Sequence, residues 1–358
     1  MQPGRPDNEH QEQHHQAQGG SGLRRRHLPA LLLCCSSTIL VAVENEPVWR
    51  LEVDNDYFTG SDNQLTAGWS VQRHSAIAPS WDAARAPDWF TAIGTIVPTL
   101  DPAGHDARFG IGIGQLLQTP DDLERRDFIE DDVPYVGLLG AFASWTALSE
   151  NHVTGLQLYL GVSGEPAFGE EIQSEAHRLI DTQVPRGWDN QVGFEPLVNL
   201  TYGQWWKLAG ADTAAGWDAD LSGGGFLNLG NLRTAIDITI QSRLGWNLPR
   251  GFAAIPDPGG LGIAQLPRLE PRDDWSVFLT VGGRAKAIGY TLFLDGSLFD
   301  EDEPEAPERE IGVLQALLGL HIVRGNFALR GQAVMSTDPI DSKASNRSWG
   351  AITLETGF

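Results

Sequence analysis

Apolar and polar residues alternate along this chain in segments of about ten residues, beginning near residue 48 and recurring to the end. Alternation with a period of two predicts β-strands, and its repetition over the whole length is typical of a β-barrel in a membrane. After residue 44, no apolar stretch reaches the roughly 20 residues that a membrane-spanning helix needs. The twelve predicted strands are residues 49–58, 64–72, 108–117, 135–148, 153–162, 195–208, 216–226, 234–246, 275–290, 311–323, 327–336 and 347–358.

An even number of strands is what a single-chain barrel of the bacterial outer membrane requires, because both of its termini lie on the periplasmic side. The last strand supports this interpretation, since Ile352, Leu354 and the terminal Phe358 share one face. A soluble sandwich or a lipocalin-like barrel also has alternating strands. We favour the membrane form because tryptophan and tyrosine recur near the strand ends, where their amphipathic rings suit lipid headgroups. The predicted fold is therefore an all-β, 12-stranded antiparallel transmembrane β-barrel.

The amino-terminal residues predict an export signal. Three arginines, residues 24–26, precede an apolar run over residues 28–41, and small residues allow cleavage near Ala42. A membrane anchor is the alternative, but the run is short for a spanning helix and is interrupted by serine and threonine. We therefore expect residues 1–43 to be a disordered extension plus a signal peptide, and residues 44–358 to be a barrel in the outer membrane of a Gram-negative cell.

Charge narrows the range of partners. The chain has 25 Lys plus Arg against 47 Asp plus Glu, a formal net charge of −22, so it lacks the cationic face that a nucleic-acid-binding protein requires. An acidic surface can still meet an anionic lipid when a divalent cation bridges the two. Both cysteines, Cys34 and Cys35, lie in the amino-terminal apolar run. Neither a disulfide framework nor a thiolate metal site is expected in the barrel.

Oxygen-bearing side chains collect where the predicted topology places the outer ends of the strands. With the amino terminus in the periplasm, the first strand runs outward into the sequence Asp54-Asn55-Asp56, and Thr66 lies at the start of the second. Carboxylate, amide and hydroxyl oxygens grouped in this way suit Ca²⁺. The alternative is a solvated rim, because Asp and Asn are ordinary turn formers.

The third outer loop predicts a short helix over residues 168–180, where apolar residues recur at helical spacing. Gln173 and His177 are four residues apart, so they lie on one face of that helix and can act on the same object. A single histidine on a helix is usually a surface residue. Here it is presented beside the outer end of an acidic barrel.

Two inner connections, residues 73–107 and 247–274, are long for periplasmic turns. The first contains a Pro- and Ala-rich stretch, residues 78–93, which predicts a small helix. The pattern predicts no structure for the second connection.

The order of short motifs at the outer strand ends resembles that of the LpxR-type lipid A 3'-O-deacylase family. The likeness covers nearly everything from residue 48 onward, and it rests on the spacing of the motifs together rather than on any one of them. The motifs are Asp54-Asn55-Asp56, Thr66-Ala67-Gly68, Gly114-Gln115 with Thr119-Pro120, residues 132–137, Gln173 with His177, residues 187–191, Glu195-Pro196, Leu294-Asp295-Gly296 and the carboxy-terminal Phe358.

This resemblance implies a twelve-stranded barrel that hydrolyses an ester in a Ca²⁺-dependent reaction, removing the 3'-linked acyloxyacyl group of lipid A in lipopolysaccharide. By position, Asn55 and Asp56 match the family's Asn-Asp pair, Thr66 its threonine in the next strand, and Gln173 and His177 its loop-helix pair. The chain departs from the family pattern at Val133, where the family usually has arginine, at Val136, where it usually has alanine, and at Asp54.

Ester hydrolysis by water needs a general base, a group that stabilises the oxyanion, and groups that orient the substrate. We predict His177 as the base, because histidine titrates near neutral pH and no other histidine lies in an outer loop. We predict Asp56 and Asn55, with assistance from Glu195, as Ca²⁺ ligands, and Thr66 and Gln173 as hydrogen-bonding groups.

Two alternatives remain open at the level of sequence. Ser174 beside His177 would indicate a serine nucleophile, as in outer-membrane phospholipases, although no third orienting residue is evident. A non-catalytic barrel, either a channel or a binding protein stabilised by Ca²⁺, would explain the acidic loops without any catalysis. In each case we expect a monomer.

Overall fold

A computed structural model describes residues 46–60, 65–101, 104–212, 216–255, 257–263, 273–299, 308–340 and 346–357 of the chain. The chain divides into two units, residues 1–41 and 42–358, and every described residue belongs to the second. The predicted extension and signal peptide therefore lie outside the described residues.

Twelve antiparallel strands close into a barrel in which each strand pairs with the next and the first pairs with the last. This confirms the predicted fold class. The strands are β1 (Val48–Asn55), β2 (Leu65–His74), β3 (Asp106–Gln118), β4 (Val136–Leu148), β5 (His152–Ser163), β6 (Pro196–Ala211), β7 (Trp217–Gly230), β8 (Arg233–Trp246), β9 (Ser276–Thr291), β10 (Gly312–Arg324), β11 (Phe327–Thr337) and β12 (Asn346–Gly357). The described α-helices are α1 (Asp88–Ile96), α2 (Gly169–Leu179) and α3 (Leu292–Asp295). None of the helices in the described part of the chain is both long and apolar enough to cross a membrane.

The two faces of the wall show which solvent each one meets. On β1, Arg50 and Glu52 point into the barrel and are buried, whereas Leu51 and Val53 point outward and are 45% and 40% exposed. Arg50 donates two hydrogen bonds inside the barrel to Glu355 of β12, the strand that pairs with β1. Charged groups inside and apolar groups outside are the arrangement of a barrel whose outer surface meets lipid.

The first strand ends earlier than the predicted residue 58. The Asn55 side chain accepts a hydrogen bond of 2.8 Å from the Tyr57 N–H and so caps a 3-10 helix over Asp56–Thr59. Gly60, with a φ of 74°, ends this helix in a left-handed conformation that glycine adopts without strain. Asn55 and Asp56 therefore lie at the junction of strand and helix rather than within the strand.

The first long inner connection folds against the outside of the barrel. Its helix α1 spans residues 88–96 instead of lying within 78–93, because Pro87 stands immediately before its first turn. The Trp145 indole of β4 donates a hydrogen bond of 2.9 Å to the Phe90 carbonyl of α1. The rings of Phe90, Phe109 and Trp145 also pack together, with centroids 4.6–5.1 Å apart. The helix thus covers the outside of the wall at β3 and β4, over its periplasmic half.

The second long inner connection enters the lumen, which accounts for its length. Asp257 lies inside the barrel and pairs with Arg233, Arg284 and Lys286 of β8 and β9 at 2.7–2.9 Å. The chain then crosses to the opposite wall. We call residues 248–263, as far as they are described, the luminal segment.

The far end of the luminal segment attaches to β1 and β5. Gly259 N–H donates to the Asp54 carboxylate at 2.8 Å, and Gly260 N–H donates to Glu52 at 3.1 Å. Both glycines have a φ near 70°, so the segment turns in a conformation that other residues rarely adopt. Gln157 of β5 holds the next turn through its hydrogen bonds with Gly260 and Gly262.

Candidate functional site

The predicted catalytic residues all lie on elements at the outer ends of β1 to β4. Asn55 and Asp56 stand where β1 ends, and Thr66 lies in β2 beside a bulge between Leu65 and Ala67. Gln173 and His177 belong to α2, which packs on β4. Because β1 to β4 are consecutive neighbours in the barrel, the fold brings these five residues to one side of the molecule.

Helix α2 is held against the outside of the wall, over β3 and β4. Gln115, on the outer face of β3, donates a hydrogen bond of 2.6 Å to the Ala167 carbonyl just before the helix. The Trp69 indole of β2 in turn donates to the Gln115 carboxamide oxygen at 2.9 Å. Gly137 of β4 faces Gly169, the first residue of α2, and Gly169 itself has no room for a side chain because a Cβ there would lie 2.6 Å from the Trp188 ring. The predicted outer-loop helix is confirmed, and the motifs around Gln115 and Gly137 are what hold it.

Gln173 lies on the buried face of α2, and of the two polar atoms of its carboxamide only the oxygen has a hydrogen-bond partner among the described residues. The Trp188 indole donates to its carboxamide oxygen at 2.9 Å, and the Trp188 ring packs on Tyr135 with centroids 5.0 Å apart. Among the described residues, the Gln173 Nε2 group has no hydrogen-bond partner, although the residue is only 2% exposed. A buried amide donor without a partner carries a desolvation cost that a ligand oxygen would remove. Burial also raises the pKa of the Tyr135 phenol.

The ring of His177 is oriented by its own loop. Its Nδ1 atom contacts the Gln183 carbonyl, an oxygen that can only accept a hydrogen bond, so Nδ1 carries the proton. In the neutral ring this leaves Nε2 as the acceptor, which is the form that a general base requires. Ser174 is buried, and no hydrogen bond joins it to His177 within the described part of the chain. The geometry therefore gives no support to a Ser-His pair.

The donor atoms of Asn55 and Asp56 are of the kind that a cation site needs. The two residues supply an amide and a carboxylate at consecutive positions at the end of β1, and Asp56 is only 5% exposed. These are the hard oxygen donors that Ca²⁺ prefers, so the pair fits the ion by chemistry. Within the described residues, no group of three or more His, Cys, Asp or Glu side chains could hold a metal ion. A cation bound here would need further oxygens from amides, hydroxyls, the backbone, water or substrate.

Glu195 does not join Asn55 and Asp56. It stands before β6, five strands along the barrel from β1, and it is fully buried. One of its carboxylate oxygens accepts a hydrogen bond from Asn231, and the other accepts from the Ser297 hydroxyl and the Leu298 N–H, at 2.5–3.0 Å. In this position Glu195 ties together two other outer loops.

The departure at Val133 has a structural counterpart. Val133 is 1% exposed and packs with Leu294 and Ile340, so three outer loops meet in an apolar cluster. Asp295, in the same motif as Leu294, pairs with Arg309 at 2.6 Å and so fixes the loop after β9. An arginine in place of Val133 would have to be accommodated in this cluster.

The apolar residues that predict α2 do not contact the barrel. Ile172, Leu179 and Ile180 are 41%, 85% and 70% exposed, whereas Gln173 and Ser174 form the buried face. Exposed apolar side chains on one face of a helix are typical of a helix that lies at a membrane surface.

Comparison with known proteins identifies a family and a similar solved structure. The family model described as "Outer membrane protein LpxR" matches residues 28–358. The structure of LpxR from Salmonella typhimurium is similar with a TM-score of 0.68 and 16% sequence identity, over 87% of this chain and 100% of that chain. The β domain of the Bordetella autotransporter BrkA is similar with a TM-score of 0.42 and 10% identity, over 87% and 99%, a score too low to carry an argument. No curated protein sequence matches this chain.

The family match extends over the whole described barrel and includes every predicted site residue. Together with the shared fold it supports an outer-membrane lipid A deacylase in general terms. The chain belongs to the LpxR family of outer-membrane proteins.

Proposed function

We propose that this protein is a Ca²⁺-dependent esterase that removes the 3'-linked acyloxyacyl group from lipid A in the outer leaflet of the outer membrane. Its family supports the general activity. The observation that carries the proposal is the pairing on α2 of an oriented histidine with a buried amide donor that has no partner. Both stand on the lipid-facing side of the wall, where an acyl ester of lipopolysaccharide can reach them.

His177 acts as the general base. Its Nε2 takes a proton from a water molecule while the water oxygen attacks the ester carbonyl carbon. When the tetrahedral intermediate collapses, the bond between the carbonyl carbon and the sugar oxygen breaks, and the proton on Nε2 passes to that oxygen. The products are a free 3'-hydroxyl group and a fatty acid, which keeps the second proton of the water and then loses it to the solvent to become a carboxylate. The contact between Nδ1 and the Gln183 carbonyl keeps the ring in the tautomer that this cycle needs.

Gln173 stabilises the intermediate. Its unpartnered Nε2 donates to the oxyanion, and the hydrogen bond from Trp188 to the carboxamide oxygen fixes which end of the amide faces the substrate. A preorganised donor of this kind lowers the barrier because it needs no rearrangement as charge develops. We keep Thr66 as a further member of the site on the strength of its place at the start of β2.

Asn55 and Asp56 would hold the Ca²⁺ ion. When bound, the ion would polarise the ester carbonyl and offset the negative charge of the intermediate. Glu195 is left out of this ligand set, because both of its oxygens accept hydrogen bonds on another part of the rim.

Substrate reaches the site from the membrane rather than through the barrel. The exposed apolar side chains of Ile172 and Leu179 lie beside the outer leaflet, where lipid A resides. The lumen is crossed by the luminal segment, which is tied to β8 and β9 by Asp257 and to β1 by Gly259 and Gly260. This crossing weakens the channel alternative.

The test is mass spectrometry of lipid A from cells that make the protein. We expect a mass loss equal to the 3'-acyloxyacyl group, which is abolished by Ca²⁺ chelation and lowered about 10²- to 10⁴-fold in rate by His177→Ala. Glu175→Gln, an exposed change on the same helix, is the matched control and should retain activity. Heat-modifiable mobility shows that each variant is folded. Unchanged lipid A from a folded wild-type barrel would overturn the proposal, and hydrolysis of phospholipid lost in Ser174→Ala would favour the phospholipase.

A further inference from the structure

We propose that the outer wall of the barrel binds a phospholipid of the periplasmic leaflet, with one acyl chain in a groove over β3 to β5 and the phosphate beside Arg73 and Arg85. This site lies at the opposite end of the wall from the rim site. It does not depend on the deacylase activity.

The groove is a lipid-facing depression of about 470 Å³. Its floor is formed by two small residues of β4, Ala141 and Ala143, and its sides by Ile111 and Ile113 of β3 and by Leu158 and Leu160 of β5. Ile111, Ile113 and Leu160 are 49–52% exposed. An apolar groove in a wall that faces hydrocarbon can hold an acyl chain, and it offers no partner to a polar ligand.

The inner end of the groove is amphipathic. The exposed ring of Trp89, from α1, closes it on one side, and Trp49 and Arg73 close it on the other. The Arg73 guanidinium stacks over the Trp49 ring at 5.4 Å from its centroid. Tryptophan at this level of a barrel marks the boundary between hydrocarbon and headgroups.

A second depression of about 590 Å³ continues from the first, and Arg73 and Ile111 line both. It runs between the inner end of the wall and residues 75–85, and the exposed side chain of Arg85 lines its far side. Neither Arg73 nor Arg85 forms an ion pair with a described carboxylate, although ten ion pairs are found elsewhere in the described part of the chain.

Charge decides the identity of the occupant. In a chain with a net charge of −22, two arginines without carboxylate partners stand at the polar end of an apolar groove. Guanidinium groups pair well with phosphate oxygens, and the apolar groove suits the chain that a phospholipid attaches to that phosphate. Lipopolysaccharide would approach from the outer rim, whereas both arginines lie toward the periplasmic ends of the strands.

Native mass spectrometry of the full-length protein in detergent, titrated with dioleoylphosphatidylglycerol, tests the proposal. We expect one lipid molecule per protein to be retained more strongly than any further ones. The double variant Arg73→Gln/Arg85→Gln should bind it about tenfold more weakly, which is the effect of losing about one charge-assisted hydrogen bond. Ala141→Phe, at an exposed position on the groove floor, should weaken binding as well, because the ring fills the channel.

The matched control is Arg324→Gln. Arg324 stacks over Trp275 at 5.4 Å, the same geometry as the Arg73–Trp49 pair, but at the inner end of β10, away from the groove. An equal loss of lipid in Arg324→Gln would overturn the site, since the effect would then be general to interfacial arginines. Displacement of the lipid by glycerophosphate at equal concentration would also overturn it, because an anion site alone needs no acyl chain. If Ala141→Phe does not fold, Arg85→Gln alone still tests the phosphate end from an exposed position.

Discussion

The lumen and the outer rim of this barrel differ in the partners that their polar side chains have. In the lumen, Asp257 pairs with three cations, and the backbone N–H groups of Gly259 and Gly260 donate to carboxylates of β1. At the rim, Gln173 keeps an amide donor without a described partner, and His177 is partly exposed. These contacts of the lumen join distant strands, although Glu52 and Asp54 each keep one carboxylate oxygen without a hydrogen-bond partner among the described residues. The unpartnered donor at the rim differs in that it lies on the same helix as a partly exposed histidine.

The two long inner connections repeat this contrast. One folds outside the wall, where α1 packs aromatic rings on Trp145, and the other folds inside, where ion pairs hold it. Apolar side chains are stable against lipid, and buried charged side chains are stable beside charges of opposite sign. The composition of each connection therefore sets the side of the wall on which it lies.

The largest effect is expected from Asp257→Asn. The substitution leaves Arg233, Arg284 and Lys286 buried without their shared counter-charge, and loss of one partner from such a group costs about 3–5 kcal/mol of unfolding free energy. Urea unfolding of the refolded barrel measures it. Glu175→Gln, which removes an ion pair between side chains more than half exposed, should cost about 0–1 kcal/mol. Equal unfolding midpoints for the two variants would contradict the role of the lumen.

Gln173→Ala should lower the rate of deacylation about 10²- to 10³-fold, because it removes a donor that acts on the intermediate. It should also lower the free energy of unfolding by about 1–3 kcal/mol, because the buried Trp188 indole loses its acceptor. Trp188→Phe keeps the ring on Tyr135 but removes the N–H that orients the amide, so a smaller loss is expected. Single-turnover assays on purified lipid A separate the two. A Gln173→Ala enzyme that binds substrate weakly but reacts at the normal rate would refute the oxyanion role.

Glu195→Gln should cost about 1.5–3 kcal/mol, the range for hydrogen bonds to a charged group, through its contacts with Asn231 and Ser297. The Ca²⁺ concentration that half-activates the enzyme should stay the same. Asp56→Asn provides the contrast, since it should raise that concentration. A shift of several-fold in Glu195→Gln would return this residue to the metal site.

The elements that carry the candidate site were predictable from local patterns, whereas the roles of its residues stay predictions. Asn55 and Asp56 fall at the end of a strand, and Gln173 and His177 fall at helical spacing, so the sequence was enough to place each pair on its element. Two other features were not predictable. The apolar spacing that indicates α2 gives no information on which face meets the barrel, and in the structure the polar face does. Glu195 follows the motif order of the family but lies on another part of the rim, because order along the chain does not fix distance around a barrel.

The sequence by itself determined the twelve strands and the existence of the outer helix, because alternation and helical spacing are local properties of neighbouring residues. Only the tertiary structure decided that Trp188 orients Gln173, that Gln115 holds the start of the helix, and that the luminal segment attaches to β1. These contacts join residues up to 208 positions apart, as between Gly260 and Glu52. No local pattern encodes such pairs, since they exist only once the barrel has closed.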